Sequence, residues 1–207
     1  MNHPDIFLPP QQVNHPVLGI PQRHPTIVVF LSPCQAKLRL GFDLLHVPTT
    51  MRDRLLDYLA LKQLPRTGWV RSNVENPESV AAHSWGMAIL ALRLAPEELD
   101  LMKVLSMCLV HDLPEIIVGD LTPHDDTTNK AELEHDAMKQ LAPEWLGWFE
   151  EYEIGESKEA KFVKQIDKLD MGLQAILYQN EQGLDLSEFL VSAKAKISDA
   201  DLLEILE

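Results

Sequence analysis

From Met51 onward, apolar positions recur at helical spacing, one segment after another. Leu55, Leu56, Leu59 and Leu64 form an apolar face that stops at Pro65. The stretch from Arg66 to Glu78 is rich in turn formers and is expected to be a loop. Ser79 is a suitable N-cap, and Val80, Met87, Ala91 and Leu94 then continue a helix as far as Pro96. Leu99 to Leu113 forms the next helix, which Pro114 must end or bend. Pro123 to Asn129 reads as loop. Two shorter helices, Ala131–Leu141 and Pro143–Tyr152, precede a long one from Ser157 to about Tyr178. A weakly amphipathic tail closes the chain. Neither an internal repeat nor a β-hairpin signal intervenes, so the expected fold is all-α, one domain over residues 51–207.

Residues 1–50 read differently. They hold eight of the 14 prolines, and their charged residues are Asp5, Asp43, Arg23, Lys37 and Arg39, a net charge of about +1. Subtraction from the total of −14 leaves about −15 on residues 51–207. Thr26 to Leu31 fits one short strand, and Gln35 to Leu45 a short helix or strand. Proline at this density disfavours an independent core, so a partly ordered N-terminal extension is expected. The well-patterned helix opening at Met51 makes that residue a candidate start of translation, which an intact-mass spectrum of native protein would decide.

The charge balance argues against binding to a nucleic-acid polymer or an anionic membrane, both of which call for a basic surface. Small anionic substrates remain open, because a buried cation and a few arginines reverse the field locally. Two cysteines, Cys34 and Cys108, are too few for a disulfide scaffold. No run approaches 18 apolar residues, and the N-terminus lacks the charged and apolar regions of a secretory leader. A reducing, cytoplasmic setting is the expectation.

Against this apolar scaffold a few polar residues stand out. The dipeptide His-Asp occurs at residues 111, 124 and 135. The second and third lie among polar neighbours and read as solvated surface. The first follows Leu-Ser-Met-Cys-Leu-Val, and His111 shares a helical stripe with Val104, Met107 and Cys108, which points it inward. His83 shares a stripe with Met87, Leu90 and Leu94. Asp167 falls on the long helix beside Val163, with Asp170 one turn later. Taken singly, His83 reads as a core histidine and Asp167 as a surface charge. Taken together, His83, His111, Asp112 and Asp167 supply two nitrogen and two oxygen donors, a set suited to a first-row divalent metal with open positions. Glu115 lies four residues after His111 and is expected on the same face, placed to manage protons beside a metal. Asp120 follows Gly119, which permits a sharp turn.

These residues in this order resemble the HD-domain phosphohydrolase superfamily. Residues 64–83 (Leu-Pro-Arg-Thr-Gly-Trp-Val-Arg-Ser-Asn-Val-Glu-Asn-Pro-Glu-Ser-Val-Ala-Ala-His), 109–120 (Leu-Val-His-Asp-Leu-Pro-Glu-Ile-Ile-Val-Gly-Asp) and 159–168 (Glu-Ala-Lys-Phe-Val-Lys-Gln-Ile-Asp-Lys) narrow it. They look like the small single-domain 5'-deoxynucleotidases of the HD-domain-containing-protein-2 type, over roughly residues 52–185. The resemblance implies an HD-type helical bundle with the metal on His83, His111, Asp112 and Asp167. It places the catalytic carboxylates at Glu115 and Asp120, with a second ion near Glu115, Asp120 and the Leu121 carbonyl in some members. Trp69 corresponds to the tryptophan that packs on the sugar. Better-known bacterial relatives carry an arginine immediately before it, where this chain has Gly68, leaving Arg66 or Arg71 as phosphate contacts. The implied reaction is hydrolysis of a deoxyribonucleoside 5'-monophosphate by water, Glu115 protonating the leaving oxygen and Asp120 orienting Glu115 or the water. The metal is one of Mn, Co, Fe, Zn or Mg, and a homodimer follows from the resemblance. Two alternatives stand beside it: the same chemistry on a cyclic nucleotide, triphosphate or alarmone, and a non-catalytic helical binding module stapled by a metal.

Overall fold

The computed structural model describes residues 50–207. The strand at Thr26 to Leu31, the element at Gln35 to Leu45 and the expected low order of the extension fall outside the described residues.

Among the described residues ten α-helices follow one another: α1 (Met51–Ala60), α2 (Thr67–Arg71), α3 (Val80–Leu94), α4 (Leu101–Val110), α5 (Glu115–Val118), α6 (Lys130–Leu141), α7 (Leu146–Ile154), α8 (Lys158–Gln182), α9 (Ser187–Lys196) and α10 (Ala200–Glu204). Short 3-10 turns at Leu61–Gln63 and Pro143–Trp145 join their neighbours. Among the described residues no strand forms, and Pro65 and Ser79 share one isolated bridge.

Local chemistry sets the helix starts. The Ser79 side chain accepts from the Ala82 N–H, Asp100 from those of Met102 and Lys103, and Ser157 from that of Ala160. Each cap satisfies donors that a first helical turn leaves unpaired. The 25-residue α8 is the axis of the bundle. Its Ala160, Val163, Ile166 and Leu169 are fully buried against Met87 and Ala91 of α3 and Val104, Met107 and Cys108 of α4. A second cluster joins Val110, Leu113, Met138, Leu141 and Phe149, and a third gathers Trp69, Val74, Ala175, Tyr178 and Leu186.

Four local expectations are corrected. The 66–78 stretch contains α2, a helix in which Trp69 is buried. Pro114 ends one helix and begins another: α4 stops at Val110, and Pro114 is the N-cap of α5. The α1 face at Leu55, Leu56 and Leu59 is exposed among the described residues, and the chain is anchored through Leu61, Leu64 and Tyr58, whose hydroxyl donates to the Leu141 carbonyl at 3.0 Å. Finally, α8 runs one turn past Tyr178, and the tail folds into α9 and α10.

Candidate metal centre and catalytic cavity

Three elements bring the expected donors together. His83 sits in the second turn of α3, fixed by burial of Val80 and Met87 on either side. His111 ends α4 in helical conformation, and the tight turn that follows closes with the Glu115 N–H donating to the Asp112 carbonyl. Asp167 projects from the middle of α8.

Their donor atoms converge. His111 Nε2 lies 3.1 Å from Asp112 Oδ2, and His83 Nε2 lies 3.8 Å from the same oxygen and 3.5 Å from Asp167 Oδ1. The two imidazole centroids are 5.6 Å apart. Metal–nitrogen and metal–oxygen bonds of ~2.1 Å in tetrahedral array require donors about 3.4 Å from one another. The observed separations bracket that value. His83 Nε2 is fully buried yet has no hydrogen-bond partner, a costly state for a polar atom. The tautomers agree as well. His83 Nδ1 is paired with Asp170 Oδ2 at 2.7 Å, and His111 Nδ1 with the Cys108 carbonyl at 3.1 Å, so both Nε2 lone pairs face the shared space. The residues therefore fit a divalent cation.

Electrostatics favour it too. Burial and the Arg66 charge lower the His83 pKa, but the nearby Asp167 carboxylate and the Asp170 hydrogen bond outweigh them and raise it to about 9. A cation at Nε2 thus competes with a proton. Burial alone would raise Asp112 and Asp167, yet the neighbouring positive groups hold both well below the usual carboxylate range. Asp167 is steadied on its other oxygen by Lys168 Nζ at 2.8 Å and by the Tyr152 hydroxyl at 3.3 Å.

Beside the donors opens a cavity of about 470 Å³, lined by Arg66, Glu115, Asp120, Lys130 and Phe189 among others. Glu115 is buried, and its Oε2 has no hydrogen-bond partner. Burial first, then the Asp112 and Asp120 charges, push its carboxyl well above the ordinary value of 4.5, which favours the protonated form. Glu115 and His111 share the cavity although Pro114 interrupts the helix between them, which corrects the expectation of one continuous face. Gly119 adopts φ 88°, a conformation open to glycine, and the turn delivers Asp120 to the Thr67 N–H at 2.6 Å. Leu121 also lines the cavity, and its carbonyl accepts from Lys130 Nζ at 3.4 Å.

The remaining sequence candidates fall into place unevenly. Arg66 reaches the centre, with its guanidinium 3.6 Å from Asp112 Oδ2. Arg71 lines the cavity but is engaged by Thr122 and by Asp125 at 2.6 Å. Trp69 is 1% exposed, edge-on to Tyr178, 4.4 Å from the Phe189 ring and bound through Nε1 to Glu78 at 3.0 Å. It is at once a cavity wall and a core residue. His124 is exposed, and His135 pairs with Glu150 at 2.8 Å, both outside the donor cluster as expected. Sequence reasoning missed Lys130, Tyr152, Lys168 and Phe189 as cavity residues. Lys168 adjoins a singled-out aspartate, but nothing in local pattern signals the others.

Residues 59–205 match the model of a family described as HD domain. A bovine protein named 5'-deoxynucleotidase HDDC2 is 42% identical over 158 residues, covering 70% of this chain and 77% of its own. The human protein of the same name is 40% identical, with 70% and 77% covered. A crystal structure of a protein from Pyrococcus horikoshii superposes with a TM-score of 0.66 at 35% identity, covering 75% of this chain and 95% of its own. The chain belongs to the HD domain family, among relatives that carry the name 5'-deoxynucleotidase.

Proposed function

We propose that this protein is a metal-dependent 5'-deoxynucleotidase, hydrolysing deoxyribonucleoside 5'-monophosphates to deoxynucleoside and phosphate. The observation that carries the reading is the pair of buried, unpartnered atoms, His83 Nε2 and Glu115 Oε2, at one cavity. The first suits a cation and the second a proton donor. Similar proteins named 5'-deoxynucleotidase support the substrate class.

His83, His111, Asp112 and Asp167 would hold the cation. When bound, it polarises the phosphoryl group and lowers the pKa of water towards ~7. Arg66, kept charged by the surrounding carboxylates, would bind a phosphate oxygen, and Lys130, Lys164 and Lys168 bring further positive charge to a cavity that also carries carboxylates. As the oxygen of water adds to phosphorus, the bond to the 5'-oxygen breaks, the Glu115 proton passes to that oxygen, and the proton that the water gives up leaves to solvent, from which Glu115 is reprotonated. Asp120, held by the Thr67 N–H, adds its charge to the burial and the Asp112 charge that raise the Glu115 carboxyl. The Trp69 and Phe189 wall would receive the sugar. A second ion near Glu115, Asp120 and Leu121 is compatible with the cavity, and the choice among Mn, Co, Fe, Zn and Mg is left to assay.

A homodimer and a cytoplasmic location complete the reading. Trp85, Ile89 and Leu92, exposed along one side of α3, offer such a dimer an apolar surface. Among the described residues no helix is long and apolar enough to cross a membrane.

The test is phosphate release from a panel of deoxynucleoside and nucleoside 5'-monophosphates, with each metal added back to chelated enzyme. Metal-dependent release favouring the deoxy series is expected. Release of pyrophosphate or triphosphate from an alarmone or a nucleoside triphosphate assayed in parallel, or opening of a cyclic nucleotide, with the monophosphates untouched, would transfer the chemistry to another nucleotide, and no turnover with any metal would leave the stapled binding module.

A further inference from the structure

Asp170 is a buried carboxylate without a part in the chemistry above. It lies on α8 one turn beyond Asp167, and its Oδ2 sits 2.7 Å from His83 Nδ1. A neutral imidazole carries one N–H, so an acceptor at Nδ1 draws the proton there and leaves the Nε2 lone pair free. The other imidazole is oriented differently, by the neutral Cys108 carbonyl. The two histidines therefore present unequal bases to the same ion, and a carboxylate partner makes His83 the stronger donor.

Space for that carboxylate comes from α3. A Cβ built on Gly86 would stand 2.3 Å from Asp170 Oδ1 and 3.3 Å from its Cγ. No side chain fits there unless the carboxylate or a helix moves. Glycine inside a helix costs about 1 kcal/mol relative to alanine, so tertiary packing has to offset the penalty at this position. Gly86 lies three residues after His83, on the same side of the helix. The fourth acid near this imidazole, Glu78, has its Oε1 engaged by the Trp69 N–H.

We propose that Asp170 is the positioning residue of the metal centre, fixing the tautomer and aim of His83, and that Gly86 is the seat that admits its carboxylate. The inference rests on the metal-site reading and is independent of which nucleotide the cavity takes.

The experiment titrates Mn²⁺ into chelator-stripped full-length protein, followed by the EPR signal of free ion, for wild type, Asp170→Asn, Asp170→Ala, Gly86→Ala and the double variant Gly86→Ala/Asp170→Ala. Losing the outer partner of a ligating histidine typically weakens metal affinity about 10- to 100-fold. That loss is expected for Asp170→Ala and Gly86→Ala, with a smaller one for Asp170→Asn, whose amide oxygen still accepts. On the Asp170→Ala background Gly86→Ala should cost nothing further, because no carboxylate is left to displace. Nitrogen-15 shifts of the Zn²⁺-loaded protein should show His83 bound through Nε2. Should Asp170→Ala fail to fold, Asp170→Asn and Gly86→Ala carry the test. Unchanged affinity in these variants overturns the proposal, as does an undiminished Gly86→Ala cost in the double variant. So does coordination through Nδ1, which would put the ion among Glu78, His83 and Asp170, or a wild type that binds no Mn²⁺. No nucleotide enters the titration, so a failed deoxynucleotidase assay leaves this result standing, and the reverse holds.

Discussion

Glu115 concentrates the chemistry of this protein in one carboxyl group. Its folded pKa is raised by burial and by Asp112 and Asp120, so the folded chain binds that proton more tightly than the unfolded chain does. Stability linked to this group is therefore present below about 4.5 and is lost as pH rises through the folded value. In chelated protein, the melting temperature of Glu115→Gln should exceed that of wild type by a margin that widens between pH 5 and pH 8. A margin that stays flat over this range would show that Glu115 is already ionised in the fold. The same substitution should lower turnover roughly 10²- to 10⁴-fold, the usual share of a general acid, while bound metal stays unchanged. Cys108 supplies a contrasting case. Burial, with Asp167 adding, pushes its thiol up to about 12. Iodoacetamide at pH 8 should leave it unlabelled in native protein and label it in denaturant, with peptide mapping to separate it from Cys34.

At the scale of elements, caps and apolar spacing explain most of what forms. Asp100 accepts from two N–H groups of α4, and its own N–H donates to Glu159 of α8. Asp100→Ala should cost about 1 kcal/mol through the lost cap, lowering the melting temperature by roughly 3 °C in a scanning-calorimetry comparison. The helices that were legible in the sequence, α3 and α8, carry both a serine cap and a sustained buried stripe. Where the reading failed, the deciding contact came from far along the chain. Nothing in Thr67-Gly68-Trp69-Val70-Arg71 favours a helix, and α2 is held by Asp120 on the Thr67 N–H and by Trp69 packed on Tyr178 and Phe189. Pro114 was legible as a break but not as a start, because a proline suits the beginning of a helix as readily as it ends one. The Leu55, Leu56 and Leu59 stripe shows the limit of periodicity, which marks a helix without saying whether its apolar face is covered.

Across the whole molecule, the donor set was legible because histidines and aspartates interrupted stripes that were otherwise apolar. The cavity wall was not, since Phe189 enters from α9 and Lys130 from α6, and neither breaks a pattern in its own segment. Bringing His83, His111, Asp112 and Asp167 together leaves a buried nitrogen, His83 Nε2, without a hydrogen-bond partner, a cost that a cation relieves. Chelation should therefore lower the melting temperature. At a metal concentration 100 times its dissociation constant, binding to the folded state is worth about 2.7 kcal/mol. The most direct test is the metal content of purified protein, measured by elemental mass spectrometry for wild type and for His83→Ala, His111→Ala, Asp112→Ala, Asp167→Ala and Glu115→Gln. One cation held by four residues predicts that each of the first four variants loses one equivalent and that Glu115→Gln retains it. A wild type without metal, or a His83→Ala protein that keeps its full complement, would contradict the account.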